Sequence, residues 1–146
     1  MTTPAKIGDV DQERILTEIS DQLKFQLPPG WDYVQIKYQA IGDHQETAAI
    51  VRSISETLTP WTPPRVISEL LTELRSAAAD PGRGTWLSAV FEMRHPGSFR
   101  ANFNATAEPE FRNPPPDEAF AEELRRFPRP AESTPAWLSQ RADDGS

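Results

Sequence analysis

The chain of 146 residues has no cysteine and no long apolar run. Without cysteine it can form no disulfide, no thiolate nucleophile and no cysteine-ligated metal site. No segment approaches the ~20 consecutive apolar residues of a membrane helix, and the N-terminal MTTPAKIGDVDQ lacks the apolar stretch of a secretory signal. We therefore expect a cytoplasmic protein without membrane association.

Positive charge is also in short supply. The chain has 15 Lys and Arg against 22 Asp and Glu, which gives a net charge of −7 and a pI near 4.8. A field of this sign repels phosphate backbones and anionic lipids. Nucleic acid is therefore not expected to be a direct partner.

Histidine, the usual catalytic base, occurs only at His44 and His95, both in predicted turns of separate hairpins and without metal-ligand spacing. Acidic pairs are abundant, but carboxylate hydrolysis needs two acids that face one cleft with separated pKa values. A hydrolase remains an alternative, and it requires that the folded structure contain such a cleft. We therefore expect that the protein is not an enzyme and that it binds no metal and no cofactor.

Apolar periodicity predicts two amphipathic helices and four strands. Helical spacing runs through residues 9–27 and again through 66–79. Strand alternation runs through 31–41, 46–54, 86–93 and 99–104, with turn residues inside each pair of strands. The proline-rich tract 59–64 is interpreted as a break in the sheet. These elements predict two hairpins in one antiparallel sheet.

Seven of the 15 prolines lie between Pro109 and Pro135. Proline fixes φ and removes a donor, so this tail is expected to be extended except for a short helix over 117–127, held by Phe120, Leu124 and Phe127. The predicted fold is α+β: a four-stranded antiparallel sheet with two main helices packed on it. One domain over 9–138, with the tail 105–138 wrapping the core, follows a flexible 1–8 and precedes a disordered 139–146.

The order of elements carries a family resemblance. Its residues are Trp31 with Tyr33 and Tyr38, Trp86 with Leu87, Gly97-Ser98-Phe99 to Phe103, and the tail segments Glu108 to Phe111, Ala121 to Arg129 and Pro135 to Leu138. This pattern resembles the YezG-like immunity (antitoxin) family of bacterial polymorphic toxin systems. Where many members have an acidic F-x-Y-D segment, this chain has Phe103-Asn104-Ala105-Thr106. The resemblance implies a non-enzymatic protein that binds and neutralises a cognate toxin.

The charge of the chain favours a partner with a basic active site, as nucleases have. The expected partner is a cognate protein toxin, bound by a monomer or weak oligomer. A toxin that consumes NAD or transfers ADP-ribose also fits, and so does a regulatory or scaffold module without a toxin. The predicted contact set joins acids in or near the proline-braced tail with one aromatic anchor: Glu108, Glu110, Asp117, Glu118, Glu122, Glu123 and Trp61.

Overall fold

The computed structural model describes residues 7–145. The elements in chain order are α1 (Ile7–Gln26), β1 (Trp31–Ile41), β2 (His44–Ser53), β3 (Leu58–Trp61), α2 (Arg65–Ala77), β4 (Ser88–Arg94), β5 (Ser98–Asn104), α3 (Asp117–Arg126), a 3-10 turn (Ala131–Ser133) and α4 (Ala136–Asp144). Within these residues no helix is both long and apolar enough to cross a membrane. Most of the flexible N-terminus expected at 1–8 lies outside the described residues.

The α+β class is confirmed, but the sheet has five strands instead of four. They form an antiparallel sheet in the order β3-β2-β1-β4-β5. The additional strand, β3, overlaps the first three residues of the tract 59–64, which was predicted to break the sheet. That prediction was wrong because an edge strand tolerates proline where the missing N–H would face away from its neighbour.

The register of β3 shows how Pro60 is accommodated. β3 pairs with β2 so that Pro60 is opposite Ile50 and Thr59 is opposite Val51. The N–H of Ser53 donates to the carbonyl of Thr57 at 3.0 Å. Since hydrogen-bonded and non-hydrogen-bonded pairs alternate along an antiparallel ladder, the Ile50–Pro60 pair needs no donor from proline. The sheet edge therefore continues through this residue.

The residues group into two compact units. Unit 1 comprises Met1–Lys37, described from Ile7 onward, together with Thr47–Ala78 and Val90–Asn102. Unit 2 comprises Tyr38–Glu46, Ala79–Ala89 and Phe103–Ser146. The residues of the single domain expected over 9–138 are divided between these two units. The domain bounds and the wrapping of the tail stay predictions.

In unit 1, α1 and α2 pack against each other. Their apolar stripes recur at helical spacing and are fully buried together with the inward faces of two strands. The largest members of this core are Ile15, Ile19, Leu23, Ile36, Ile67, Leu71, Leu74 and Phe91. The predicted core faces of both helices and of β1 and β4 are confirmed.

In unit 2, α3 packs against α4, a helix that was not predicted. Pro135 precedes α4, and Leu138 and Ala142 lie four residues apart on its buried face. They join a core with Ile41, Leu87 and Phe120. The end of the chain, expected to be disordered over 139–146, is therefore helical through Asp144, while Ser146 lies outside the described residues.

Phe103 of β5 is exposed, although the alternation over 99–104 would place it on the same face of the strand as Phe99 and Ala101. Phe103 is 44% exposed, and its ring lies against that of buried Trp86, with the centroids 5.2 Å apart. The indole of Trp86 in turn meets the ring of Tyr38 edge-on. Phe103 therefore covers a buried aromatic pair from outside instead of forming part of the core.

Arg129 fixes the tail within unit 2. Its guanidinium donates to the carbonyls of Ala105 at 2.7 Å, Thr85 at 2.8 Å and Ser133 at 3.2 Å. A planar fork of donors can satisfy several carbonyls at once, which a lysine ammonium does less well. The segments on both sides of α3 are thereby held in place.

Candidate protein-binding surface

The acidic charge of the chain is concentrated in unit 2. That unit carries twelve Asp and Glu against six Lys and Arg, a net charge of −6, whereas unit 1 carries ten against nine, a net charge of −1. Unit 2 also contains all six acids of the predicted contact set. The negative field that attracts a basic partner therefore comes mainly from unit 2.

An open cleft of about 460 Å³ lies in unit 2, where the start of α3 meets the turn between β1 and β2. Glu118 and Glu122, one helical turn apart, face this cleft together with Asp43 of the turn. It is completed by His44, Pro116, Ala119 and Arg125. The structure thus brings two of the predicted acids together and adds a third, Asp43, which was not among the predicted contact residues.

Gly42 allows the turn to approach the helix closely. Its φ of +57° lies in the left-handed region, and a Cβ at this position would be 2.7 Å from the carbonyl oxygen of Ala119. Glycine alone avoids both the steric clash and the conformational strain. The close approach is what places Asp43 beside Glu118 and Glu122.

Two of the three cleft acids already have intramolecular partners. Arg125 pairs with Glu122, and Nη1 of Arg126 lies 2.5 Å from Oδ1 of Asp43. Glu118 has no ion pair within residues 7–145. Exposed pairs of this kind contribute little to stability, so a basic partner can replace them at small cost.

Glu46 positions the chain that leads into α3. Its Oε1 accepts the N–H of Arg112 at 2.9 Å and its Oε2 accepts the N–H of Asn113 at 2.6 Å. Burial acts to raise the pKa of this carboxyl, but the hydrogen bonds from Asn113 and Arg112 outweigh it and hold the pKa below its ordinary value. The ring of His44 adds an edge contact to Phe111. These contacts fix the approach to the cleft.

Three further predicted acids lie on the surface of unit 2, outside the cleft lining. Glu108 pairs with Arg141 of α4 at 2.9 Å. The side chain of Glu110 is exposed, while its carbonyl accepts a hydrogen bond from Gln39 at 2.5 Å. Asp117 is exposed in the first turn of α3, where the helix dipole favours an acid.

Glu123, in contrast, does not belong to the exposed set. It is 0% exposed, and its Oε1 accepts the N–H of Gly42 at 2.8 Å. It ties α3 to the turn that carries Asp43 and cannot meet a partner. The sequence contained a signal for this position, because Glu123 lies three residues after Phe120 and four before Phe127, on the apolar face of the helix.

Trp61 belongs to unit 1, whereas the acids of the predicted contact set all belong to unit 2. It is partly exposed at the end of β3, opposite Ala49. Its side chain lines a small cavity of about 170 Å³ with Pro28, Pro29 and Trp31 among others. Its role as an aromatic anchor beside the acids stays a prediction.

The histidines and acids of the described residues bear on the question of catalysis. Within residues 7–145, no group of three or more His, Asp and Glu side chains is arranged to hold a metal ion. The ring of His44 contacts Phe111, and that of His95 contacts Trp31. The hydrolase alternative requires two acids in one cleft, at least one of them buried. Asp43, Glu118 and Glu122 do share the cleft, but Asp43 and Glu118 are exposed and Glu122 is only partly buried.

No protein-family model matches the chain, and no curated protein matches it. The resemblance to the YezG-like immunity family therefore rests on the residue pattern alone.

Proposed function

We propose that the protein is an immunity protein that binds a cognate toxin domain and blocks its active site, with a nuclease as the preferred toxin class. The observation that supports this function best is the acidic surface of unit 2, where Asp43, Glu118 and Glu122 line one open cleft. A basic catalytic surface that normally attracts phosphate is the complementary partner.

The mechanism follows from the arrangement of the charges. Lys or Arg side chains of the toxin enter the cleft, where they meet Glu118 directly and exchange with Arg125 and Arg126 for the other two acids. Long-range attraction raises the association rate, and the close contacts lengthen the lifetime of the complex. The toxin then either has its phosphate-binding groups occupied or has substrate entry obstructed from beside the active site.

The same surface would suit a toxin that acts on NAD or transfers ADP-ribose, because that substrate is also anionic. It would also suit a regulatory module that binds a basic cellular protein. Protection of cells separates these functions: an immunity protein prevents killing by the toxin, whereas a regulatory module does not. An enzymatic assay of the free toxin, without the immunity protein, then identifies the toxin class.

The experiment uses the product of the adjacent gene as the candidate toxin. We expect full-length protein to capture it in a pull-down and to protect cells that express it. The double variant Glu118→Lys/Glu122→Lys should slow association at least about tenfold at low salt, because two attractive charges become repulsive. Protection should weaken in parallel.

The matched control is Asp21→Lys/Glu69→Lys, which changes the net charge equally on exposed helix positions of unit 1. Circular dichroism verifies that both variants are folded. Equal association rates for the two double variants would remove the cleft from the proposed interface. Normal binding without protection of cells would instead favour the regulatory module.

A further inference from the structure

The two edges of the sheet differ in character. At one edge, β3 contains Pro60, which has no N–H to offer on the side away from β2. At the other edge, β5 has the sequence SFRANFN, without proline, lysine or an acid. Within the described residues no strand lies beyond β5. Because edge strands usually carry such protecting residues, the edge at β5 is open to pairing with another strand.

The backbone of β5 presents alternate residues to this open edge. The carbonyl of Asn104 accepts the N–H of Leu87, the residue before β4, at 2.8 Å. Asn104 is therefore turned towards β4, and so are the other even-numbered residues of the strand, because backbone direction alternates along an antiparallel strand. The N–H and C=O groups of Phe99, Ala101 and Phe103 consequently point towards the open edge.

The sequence of β5 is nearly symmetric about Ala101. Phe99 and Phe103 lie two residues away on either side, and the other four positions of the strand are polar. A second copy of β5 that runs antiparallel and is centred on Ala101 therefore places phenylalanine opposite phenylalanine, a favourable cross-strand pair. Since the backbone of Ala101 points towards the edge, the two copies of this residue exchange both hydrogen bonds.

The charges of β5 also suit a second copy in this register. Arg100 is the one charged residue of the strand, and its Nε lies 3.5 Å from Oε1 of Glu92 in the same chain. In the centred register the residue opposite Arg100 is Asn102, a neutral amide that can accept from the guanidinium. A shift of two residues in one direction would place Arg100 opposite its own copy, and a shift in the other would place Phe99 beyond the end of the second strand.

The aromatic side chains of β5 gain cover in the same register. Phe103 is 44% exposed, whereas the ring of Phe99 already lies against that of buried Phe91, with the centroids 5.9 Å apart. Phe99 of one copy lies opposite Phe103 of the other, so the exposed ring is brought against an apolar neighbour. Burial of this apolar surface stabilises the pair of chains.

We propose that β5 pairs with β5 of a second copy of the chain, centred on Ala101, so that the five strands of each copy join into one antiparallel sheet. The contact is isologous, because the same residues are used by both copies and the two-fold axis passes between the two Ala101 residues. The proposal does not depend on toxin binding, since β5 contains none of the acids in the predicted contact set.

The first test is sedimentation velocity of the full chain as a function of protein concentration. We expect a reversible dimer whose Kd rises at least about tenfold in Ala101→Pro. Proline at this position removes a donor that points towards the open edge and leaves the hydrogen bonds to β4 in place. Circular dichroism verifies that the variant is folded.

Amide exchange tests the wild type without any substitution. Exchange at Phe99 and Ala101 should slow at least about tenfold as the protein associates, because their N–H groups become hydrogen-bonded across the two copies. Exchange at Arg100 and Asn102, whose N–H groups point towards β4, should not depend on protein concentration.

Single cysteines report the register, because the chain has none of its own. Opposite residues of a hydrogen-bonded pair have Cα atoms about 5.5 Å apart, which a disulfide can bridge. We expect Ala101→Cys to form a disulfide-linked dimer under mild oxidation. Ser98→Cys, the exposed control on the same strand, lies about 20 Å from its own copy in this register and should not.

A wild type that stays monomeric up to about 0.5 mM would overturn the proposal. So would a dimer in which exchange at Phe99 and Ala101 does not depend on concentration, or in which Ser98→Cys cross-links as fast as Ala101→Cys. A dimer that Glu118→Lys/Glu122→Lys dissociates would place the contact at the acidic cleft instead of β5. If Ala101→Pro does not fold, amide exchange and the cysteine pair decide. The toxin-protection assay is read separately, so failure of the β5 contact leaves the acidic cleft to its own experiment.

Discussion

At the scale of single residues, two adjacent glutamates of α3 have different roles. Glu122 lines the open cleft, whereas Glu123 is 0% exposed and accepts the N–H of Gly42. Composition treats the pair as equivalent acids. The helical period separates them, because one step of about 100° moves a side chain from the solvent face to the buried face.

This difference gives a stability prediction. Glu123→Ala should lower the free energy of unfolding by about 1–3 kcal/mol, because the partly buried N–H of Gly42 loses its acceptor and the buried side chain of Glu123 is removed. Glu122→Ala, as the control, should change it by less than about 0.5 kcal/mol. Urea denaturation followed by circular dichroism measures both. Equal effects of the two substitutions would contradict the buried role of Glu123.

Glu46 gives a pH prediction. The hydrogen bonds that its carboxylate accepts from two backbone N–H groups hold its pKa below the ordinary value of about 4.3. Its contribution to stability is therefore complete above the unfolded-state pKa and is lost as pH falls through the folded-state pKa. We expect amide exchange at Arg112 and Asn113 to accelerate on acidification over that range, beyond the intrinsic pH dependence of exchange.

The variant Glu46→Gln should show faster exchange at these two amides already at neutral pH and should lose the additional acid dependence. The matched control is Glu110→Gln, which changes an exposed carboxyl in the tail that contains the two amides. Acid-dependent protection that persists in Glu46→Gln would assign the effect to another group.

At the scale of elements, α4 was the largest departure from expectation. The apolar residues of the segment are Ala136, Trp137, Leu138 and Ala142, and the polar remainder resembles a frayed end. Its order comes from tertiary packing of Leu138 and Ala142 on α3, which sequence periodicity does not reveal.

A pair of substitutions on α4 tests this packing. Ala142→Asp should lower the free energy of unfolding by about 3 kcal/mol, because it places a charge among the buried side chains of unit 2. Gln140→Asp adds the same charge to the exposed face of the same helix and should have little effect. Thermal and urea unfolding measure both. Similar stability of the two variants would restore the expectation of a disordered end.

The elements that sequence did predict share a property. β1 was predicted with its observed bounds because Val34, Ile36 and Tyr38 alternate with polar residues and all face the core. β3 was missed because Pro60 breaks a central strand but not an edge strand, and the sequence does not state which strand is at the edge. Asp43 was missed as a site residue for a similar reason: its contact with α3 spans residues far apart in the chain.

At the scale of the whole molecule, charge and apolar exposure are divided between the two units. Unit 2 carries nearly all of the net negative charge. Unit 1 is nearly neutral and contains five of the six large apolar side chains exposed among the described residues: Val10, Phe25, Ile50, Ile54 and Leu58. The charge-selected contact proposed above therefore belongs to unit 2.

The division predicts how salt affects toxin association. Stopped-flow association of the wild type with the adjacent gene product should slow at least about tenfold between about 50 mM and about 300 mM NaCl, because screening weakens the attraction of unit 2 for a basic partner. Glu118→Lys/Glu122→Lys should flatten this dependence, whereas Asp21→Lys/Glu69→Lys should retain most of it. An association rate of the wild type that is insensitive to salt would show that the acidic surface does not guide the encounter, and the interface would then have to be sought on the apolar surface of unit 1.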